Sequence, residues 1–211
     1  MATAIVIMDY QNIHLTARDT FAPHGLPAHE CLIHPLRFAQ QVLVTRERRL
    51  AVKAMTNPAA GPAERLELLR VEAYRGQPSN HEQPNLYRYS LAQKAEWTRD
   101  PRVVVEYRTL RYFWEEGVRV AQEKGIDVRV ALAVVRAVTM READVVILAS
   151  HDTDLEPALD AAVEWGGSRV ETTGWTGSRV LRPRVGVRHT SLGPQEFLMT
   201  RDRRDYTQAA A

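Results

Sequence analysis

One cysteine, Cys31, stands in 211 residues. An intrachain disulfide is excluded, and such a chain suits a reducing compartment. Lysine is nearly as scarce, with Lys53, Lys94 and Lys124 beside 25 arginines. In a chain rich in Ala and Val that bias looks like a GC-rich genome, so arginine abundance alone is no argument for nucleic acid. No apolar run approaches the roughly 18 residues that span a bilayer. The opening MATAIVIMDY has no basic region ahead of its short apolar run, so no signal peptide is expected. Walker-type, Gly-x-Ser-x-Gly and paired-cysteine metal spacings are missing, as are repeats and low-complexity blocks. These absences predict a cytoplasmic protein with no membrane partner and no small-molecule organic cofactor.

What is present fits a globular domain: 45% apolar and 26% charged residues, in a length that suits one core plus a tail or insertion. The net charge of +2 hides an asymmetry, because residues 176–211 hold seven Arg against three acids. A basic segment beside an acidic site would suit a polyanionic substrate.

Five apolar runs read as strands: Ala4–Met8, Leu50–Met55, Val103–Tyr107, Asp144–Ala149 and Ser168–Thr172. The first, third and fourth are nearly continuous in apolar residues, as in strands covered on both faces. Helical periodicity separates them, over Leu36–Thr45, Ala63–Tyr74, Leu86–Trp97, Val128–Arg141 and Leu155–Trp165. Such alternation predicts right-handed crossovers and a parallel sheet in a three-layer α/β domain. TNPAAGP (56–62) and RGQPSNHEQP (75–84) read as loops, and a sixth strand is a candidate near Val185–Thr190. The expected domain is 1–198, with 199–211 as a disordered tail.

In parallel α/β sheets ligands bind outside the carboxyl ends of the strands. Strand one ends in Asp9, with Asn12 three residues on in DYQN. The fourth ends in SHDTD, which supplies Ser150, Asp152, Thr153 and Asp154, and Asp127 opens the preceding helix in EKGIDV. If strands one and four are neighbours, these acids converge. Clustered carboxylates repel unless a cation neutralises them, and hard oxygen ligands suit Mg²⁺ or Mn²⁺. Such ions activate water and stabilise a leaving oxygen in phosphodiester hydrolysis. Taken singly each acid has a plainer alternative: Asp152 or Asp154 as the cap of the helix near Leu155, Asp127 as the cap of its own helix, and Asp9 as a turn residue. Asn12 has the alternative of another N-cap.

IVIMDYQNI, EKGIDV and VVILASHDTDLEPALDAAVEWGGSRVETTGW resemble, in order and spacing, the NYN-domain family of PIN-like, ribonuclease-related proteins. The resemblance is strong over residues 4–15 and 123–175. It implies a PIN-like three-layer α/β/α domain with a central, mainly parallel sheet in strand order 3-2-1-4-5, and a metal-dependent ribonuclease site at its carboxyl edge. Carried over, Asp9 and Asp152 are metal ligands, Asp127 completes the acidic cluster, and Asp154 binds metal directly or through water. Asn12 orients a water or phosphate, and Ser150 and Thr153 support the carboxylates. Two departures stand out. His151 replaces the family's usual glycine, where it could narrow the site, bind metal or contact a phosphate. Ala133 and Val134 lie where many members carry a further acid, which leaves the choice of one or two ions open.

Arg108, Arg111 and Lys124 are candidate phosphate contacts, with surface pairing to Glu115, Glu116 or Glu123 as the alternative. Tyr10, Trp114 and Trp175 are candidate stacking platforms or ordinary packing. RVLRPRVGVRH (179–189) lines a nucleic-acid groove or forms a basic edge. The histidines around Cys31 match no zinc spacing. The expected function is a Mg²⁺- or Mn²⁺-dependent ribonuclease with RNA as partner and a homodimer as a compatible state. The rival is an RNA-binding or protein-interaction module that kept the fold and lost part of the site. A haloacid-dehalogenase-type phosphatase needs Asp-x-Asp after strand one, where this chain has Asp9-Tyr10-Gln11.

Overall fold

A computed structural model describes residues 1–57, 59 and 61–207. In chain order the elements are β1 (Ala2–Asp9), α1 (Tyr10–Phe21), α2 (Pro35–Thr56), β2 (Leu66–Gln77), α3 (Pro84–Trp97), β3 (Val103–Thr109), β4 (Arg111–Glu115), β5 (Val118–Gln122), α4 (Ile126–Thr139), β6 (Val145–Ala149), α5 (Glu156–Trp165), β7 (Arg169–Trp175), β8 (Arg188–Leu192) and α6 (Pro194–Thr200). Six strands form a parallel sheet in the order β3-β2-β1-β6-β7-β8, and β4 and β5 pair only with each other.

Two of the three continuous apolar runs, β1 and β6, sit at the centre of the sheet with both faces covered, whereas the third, β3, is an edge strand whose Val104, Glu106 and Tyr107 are only half-buried. Ala4, Val6 and Met8 of β1 and Val145, Ile147 and Ala149 of β6 point into a core that includes Ile13, Phe38, Trp97, Trp175 and Phe197. Ile5, Ile7, Val146 and Leu148 point the other way, onto Val130, Val134 and Ala137 of α4 and Leu159 and Ala162 of α5. The period of two splits each strand between the two layers of helices. Among the described residues, no helix is long and apolar enough to cross a membrane.

The structure corrects several sequence expectations. The run Leu50–Met55 is no strand but the last turns of α2, and Val52 and Met55 are exposed. With no second layer to bury those side chains, the Arg-, Glu- and Ala-rich stretch keeps its helical preference. Conversely, Ala63–Tyr74 is mostly β2. Against β1, Leu68 pairs with Ala4 and Arg70 with Ile5, so Leu69 is an extra, unpaired residue. The irregularity spaces the buried Leu66, Leu68, Val71 and Ala73 by two, three and two, which imitates a helix. The strand order differs from the expected 3-2-1-4-5 because the β4–β5 ribbon lies outside the sheet and β8 is added beyond β7.

The expected disordered tail is also corrected where it is described. Arg201 bridges to Ile33, the Asp202 N–H donates to the Leu32 carbonyl at 2.7 Å, and Tyr206 is buried. Asp202 accepts from Trp97 Nε1 at 2.6 Å and from the Tyr206 hydroxyl at 2.5 Å. Residues 208–211 lie outside the described residues. Asp202→Ala strips a buried indole N–H and a buried phenol of their acceptor, a loss of about 1–3 kcal/mol. Urea denaturation of the variant checks this, and an unchanged midpoint would mean that the segment is dispensable.

Candidate functional site

Parallel pairing of β1 with β2 and β6 brings the carboxyl ends of three strands side by side. Asp9 ends β1 and caps α1, its Oδ1 accepting from Asn12 N at 3.4 Å and its Oδ2 from Ser150 Oγ at 3.0 Å. The Ser150 hydroxyl accepts in turn from Asp152 N at 3.1 Å. Asp152 caps the single 3-10 turn Thr153–Leu155, accepting from Asp154 N at 3.0 Å. Asn12 Oδ1 accepts from His151 N at 2.9 Å and so ties α1 to the same turn. The capping role predicted as an alternative for Asp152 is therefore real, and Asp9, expected in its plainer alternative as a turn residue, caps α1; both roles coexist with a shared cleft.

That cleft, about 520 Å³, is lined among others by Asp9, Asn12, Glu123, Lys124, Asp127 and Asp152. Gly125 opens α4 at φ 73°, a left-handed conformation that disfavours a side chain. A Cβ there would also lie 2.8 Å from Arg108 Nη1, so the guanidinium rests against this turn. Glu123 takes a hydrogen bond from the Gly76 N–H at the end of β2. Burial, then the charges of Glu123 and Asp152, push Asp9 up to about 7 against the hydrogen bonds from Ser150 and Asn12. Burial and Asp127 also raise Glu123, opposed by the Gly76 N–H and by Arg75.

Of the predicted residues, Asp9, Asn12, Lys124, Asp127 and Asp152 thus meet in one cleft, with Ser150 beneath them. Asp154 is exposed and is not among the cleft's lining residues, and Thr153 belongs to the 3-10 turn. Arg111 stands on the separate ribbon. His151, expected as an RNA contact, is turned inward: Nδ1 lies 2.7 Å from the Arg179 carbonyl, Nε2 accepts from Trp175 N at 3.1 Å, and burial lowers its pKa. Tyr10 and Trp175 are fully buried and cannot stack on bases, whereas Trp114 is 69% exposed. The sequence expectation missed Glu123 as a site residue, treating it as a surface partner for arginine. Its place in EKGIDV, in the short loop that opens α4 just ahead of Asp127, was the available signal.

An all-oxygen donor set suits Mg²⁺ or Mn²⁺, and a buried carboxyl held near 7 beside two other acids gains from a nearby cation. Among the described residues, no three His, Cys, Asp or Glu side chains are grouped closely enough to hold a metal as they stand. A cation would have to draw them together.

No protein-family model matches the chain and no curated protein does. Among solved structures, the crystal structure of a protein of unknown function from Vibrio parahaemolyticus is similar with a TM-score of 0.48 and 14% identity, covering 85% of each chain.

Proposed function

We propose that this chain is a divalent-metal-dependent ribonuclease of the PIN-like type. The observation that carries the proposal is the convergence of Asp9, Asp127 and Asp152, from three distant sequence positions, on one cleft at the carboxyl edge of a parallel sheet. The motif resemblance to NYN domains supports it. So does the order of the sheet strands: numbered without the β4–β5 ribbon they run 3-2-1-4-5-6, the PIN-like order with one strand added at the edge.

In this proposal Asp9 and Asp152 hold the cation, with Asp127 and Glu123 as further acids at its margin. The bound cation supplies an activated water and charge stabilisation on the leaving oxygen. The protein's own groups prepare the place. Ser150 Oγ and the Asn12 N–H fix the two oxygens of Asp9, and the Ser150 hydroxyl links Asp9 to the turn that carries Asp152. Lys124 offers an ammonium to a substrate phosphate at the same cleft. The RNA-binding rival is favoured by one observation: Ala133 and Val134, where the family resemblance expects an acid, are residues of α4 buried against the sheet. A carboxylate there would have to enter the core.

Incubation of structured and single-stranded RNAs with Mn²⁺, Mg²⁺ or EDTA, with the wild type and Asp152→Asn in parallel, separates the two. The nuclease predicts metal-dependent products that the variant reduces by roughly hundredfold or more, the scale of removing one positioned group. RNA binding under EDTA without cleavage in any metal would transfer the assignment to the rival.

A further inference from the structure

Between β7 and β8 runs the segment TGSRVLRPRVGV (176–187), which has three arginines and no acid. Its side chains alternate: Leu181 and Pro183 are buried, while Arg179, Arg182 and Arg184 are exposed. Acids of α5 hold its backbone, Glu156 accepting from Arg182 N at 2.7 Å and Asp160 from Arg184 N at 2.6 Å. The heads of Arg179 and Arg182 are left outside this clamp. The Arg184 side chain is 91% exposed and lies 3.6 Å from Asp160. Among the described residues, no carboxylate pairs with the guanidinium of Arg179 or Arg182.

The amino end of the segment is fastened by His151. The Trp175 N–H can only donate, so His151 Nε2 must be the acceptor, and the ring proton sits on Nδ1 and is donated to the Arg179 carbonyl. The ring fills a place that only glycine leaves open, since a Cβ on Gly174 would come within 2.3 Å of its Cε1. The same residue's backbone N–H is held by Asn12, and the next residue is Asp152. One side chain therefore joins the arginine segment to the turn that carries a cleft acid.

We infer that segment 176–187 is a phosphate-gripping rail for single-stranded nucleic acid on the β7 side of the cleft, and that His151 is the positioning residue that holds it there. The inference rests on the proposed RNA cleft and adds the path of the strand. The sheet order sets Glu123 and Lys124 by the end of β2 on one side, Asp9 and Asp152 at the ends of β1 and β6 in the middle, and Arg179, shortly after the end of β7, on the other. Because β8 runs parallel to β7, Arg182 and Arg184 continue from there along α5 toward the amino edge. A strand crossing the cleft would meet cations on both sides of the acids. His151 then stands as the clasp of an arginine rail where the family resemblance expects glycine, and replacing it should weaken nucleic-acid binding.

Fluorescence anisotropy of a labelled single-stranded RNA 20-mer, in EDTA and over a series of KCl concentrations, tests this. Each phosphate contact to a single strand contributes about 0.7 to the slope of log K against log salt. Arg179→Gln/Arg182→Gln/Arg184→Gln is expected to lower that slope by about 2, in line with three lost contacts. His151→Ala should lose at least half as much and should expose the bonds after Arg179 and Arg184 to faster tryptic cleavage. A merely structural histidine would lower the melting temperature without changing the slope. Should the triple variant fail to fold, Arg182→Gln alone gives the same reading on a smaller scale.

An unchanged slope in a folded arginine variant overturns the rail. So does a change in self-association in place of a change in RNA affinity, which would make the segment a contact for a second copy of the chain. Wild type that binds RNA through these arginines yet never cleaves it with Mn²⁺ leaves the rail standing and removes the nuclease. Cleavage with an unchanged slope does the reverse.

Discussion

Asp9→Asn is expected to melt higher than the wild type at pH 8, with the difference closing toward pH 4, while RNA cleavage falls by roughly hundredfold or more. Asn keeps the shape and the capping ability of Asp, so the Asn12 N–H still has its acceptor. What changes is the charge, together with the Ser150 contact, where the amide N–H now donates to the hydroxyl that had donated to Oδ2. Asp9 is buried and its carboxyl is pushed up to about 7, far above the value near 3.9 of an unfolded chain. Between those values the folded state holds a proton that the unfolded state has released. The stabilisation linked to this group is therefore complete below about pH 4 and is lost as pH rises through about 7. Above that, the ionised wild type carries a burden of up to about 4 kcal/mol, from some three pH units at about 1.4 kcal/mol each. The Asn variant does not carry it.

Thermal melts at pH 4, 6 and 8, with and without Mn²⁺, check the point. Mn²⁺ should raise the wild-type melting temperature at pH 8 and leave the variant nearly unmoved, because a cation relieves the same carboxylate that Asn removes. Equal melting of the two proteins at pH 8, together with intact cleavage, would mean that Asp9 is only a helix cap.

Arg46→Met should be the costliest single change outside the cleft, destabilising by about 3–5 kcal/mol. Arg46 is 1% exposed, and its Nε and Nη2 grip the equally buried Glu171 at 2.7 and 2.8 Å. Its remaining donors reach the Glu64 carbonyl and carboxylate at 3.0 Å each. Removing the arginine leaves Glu171 buried in β7 with only Arg188 at 3.0 Å and Arg169 at 3.5 Å, both partly in solvent. Arg46→Met/Glu171→Leu should recover most of the loss, since replacing both members of a buried pair with apolar groups is far less costly than orphaning one. Chemical denaturation of the single and double variants gives the comparison. A single variant within about 0.5 kcal/mol of the wild type, the range of ordinary surface changes, would show that Glu171 is satisfied without Arg46.

Arg46 also shows where the sequence stopped being readable. The expected helix ended at Thr45, because an arginine followed by Glu47, Arg48 and Arg49 looks like solvent. The helix in fact runs to Thr56 and buries that arginine, because its carboxylate partner arrives 125 residues later. Leu69 misled in another way, since one unpaired residue in β2 converts an alternating strand into a helical-looking spacing. Asp202 looked like part of a charged tail, and only the folded chain brings Trp97 to it.

The sequence by itself determined the strands β1, β3 and β6, of which β1 and β6 are buried on both faces and β3 lies at the sheet edge, the amphipathic helices α4 and α5, and the acids that follow β1 and β6 and open α4. These features are local: continuous apolarity or a helical period records how many faces an element buries, and an acid directly after such a strand inherits the strand's place in the sheet. Tertiary structure alone decided that β4 and β5 leave the sheet, that Glu123 joins the cleft through the Gly76 N–H, and that His151 faces inward onto Gly174 and Trp175. The physical reason is that the surroundings of a charged or polar side chain are set by partners far away in sequence. Glu123 and Gly76 are 47 residues apart, and His151 and Trp175 are 24 apart. The local pattern around each carries no trace of the other.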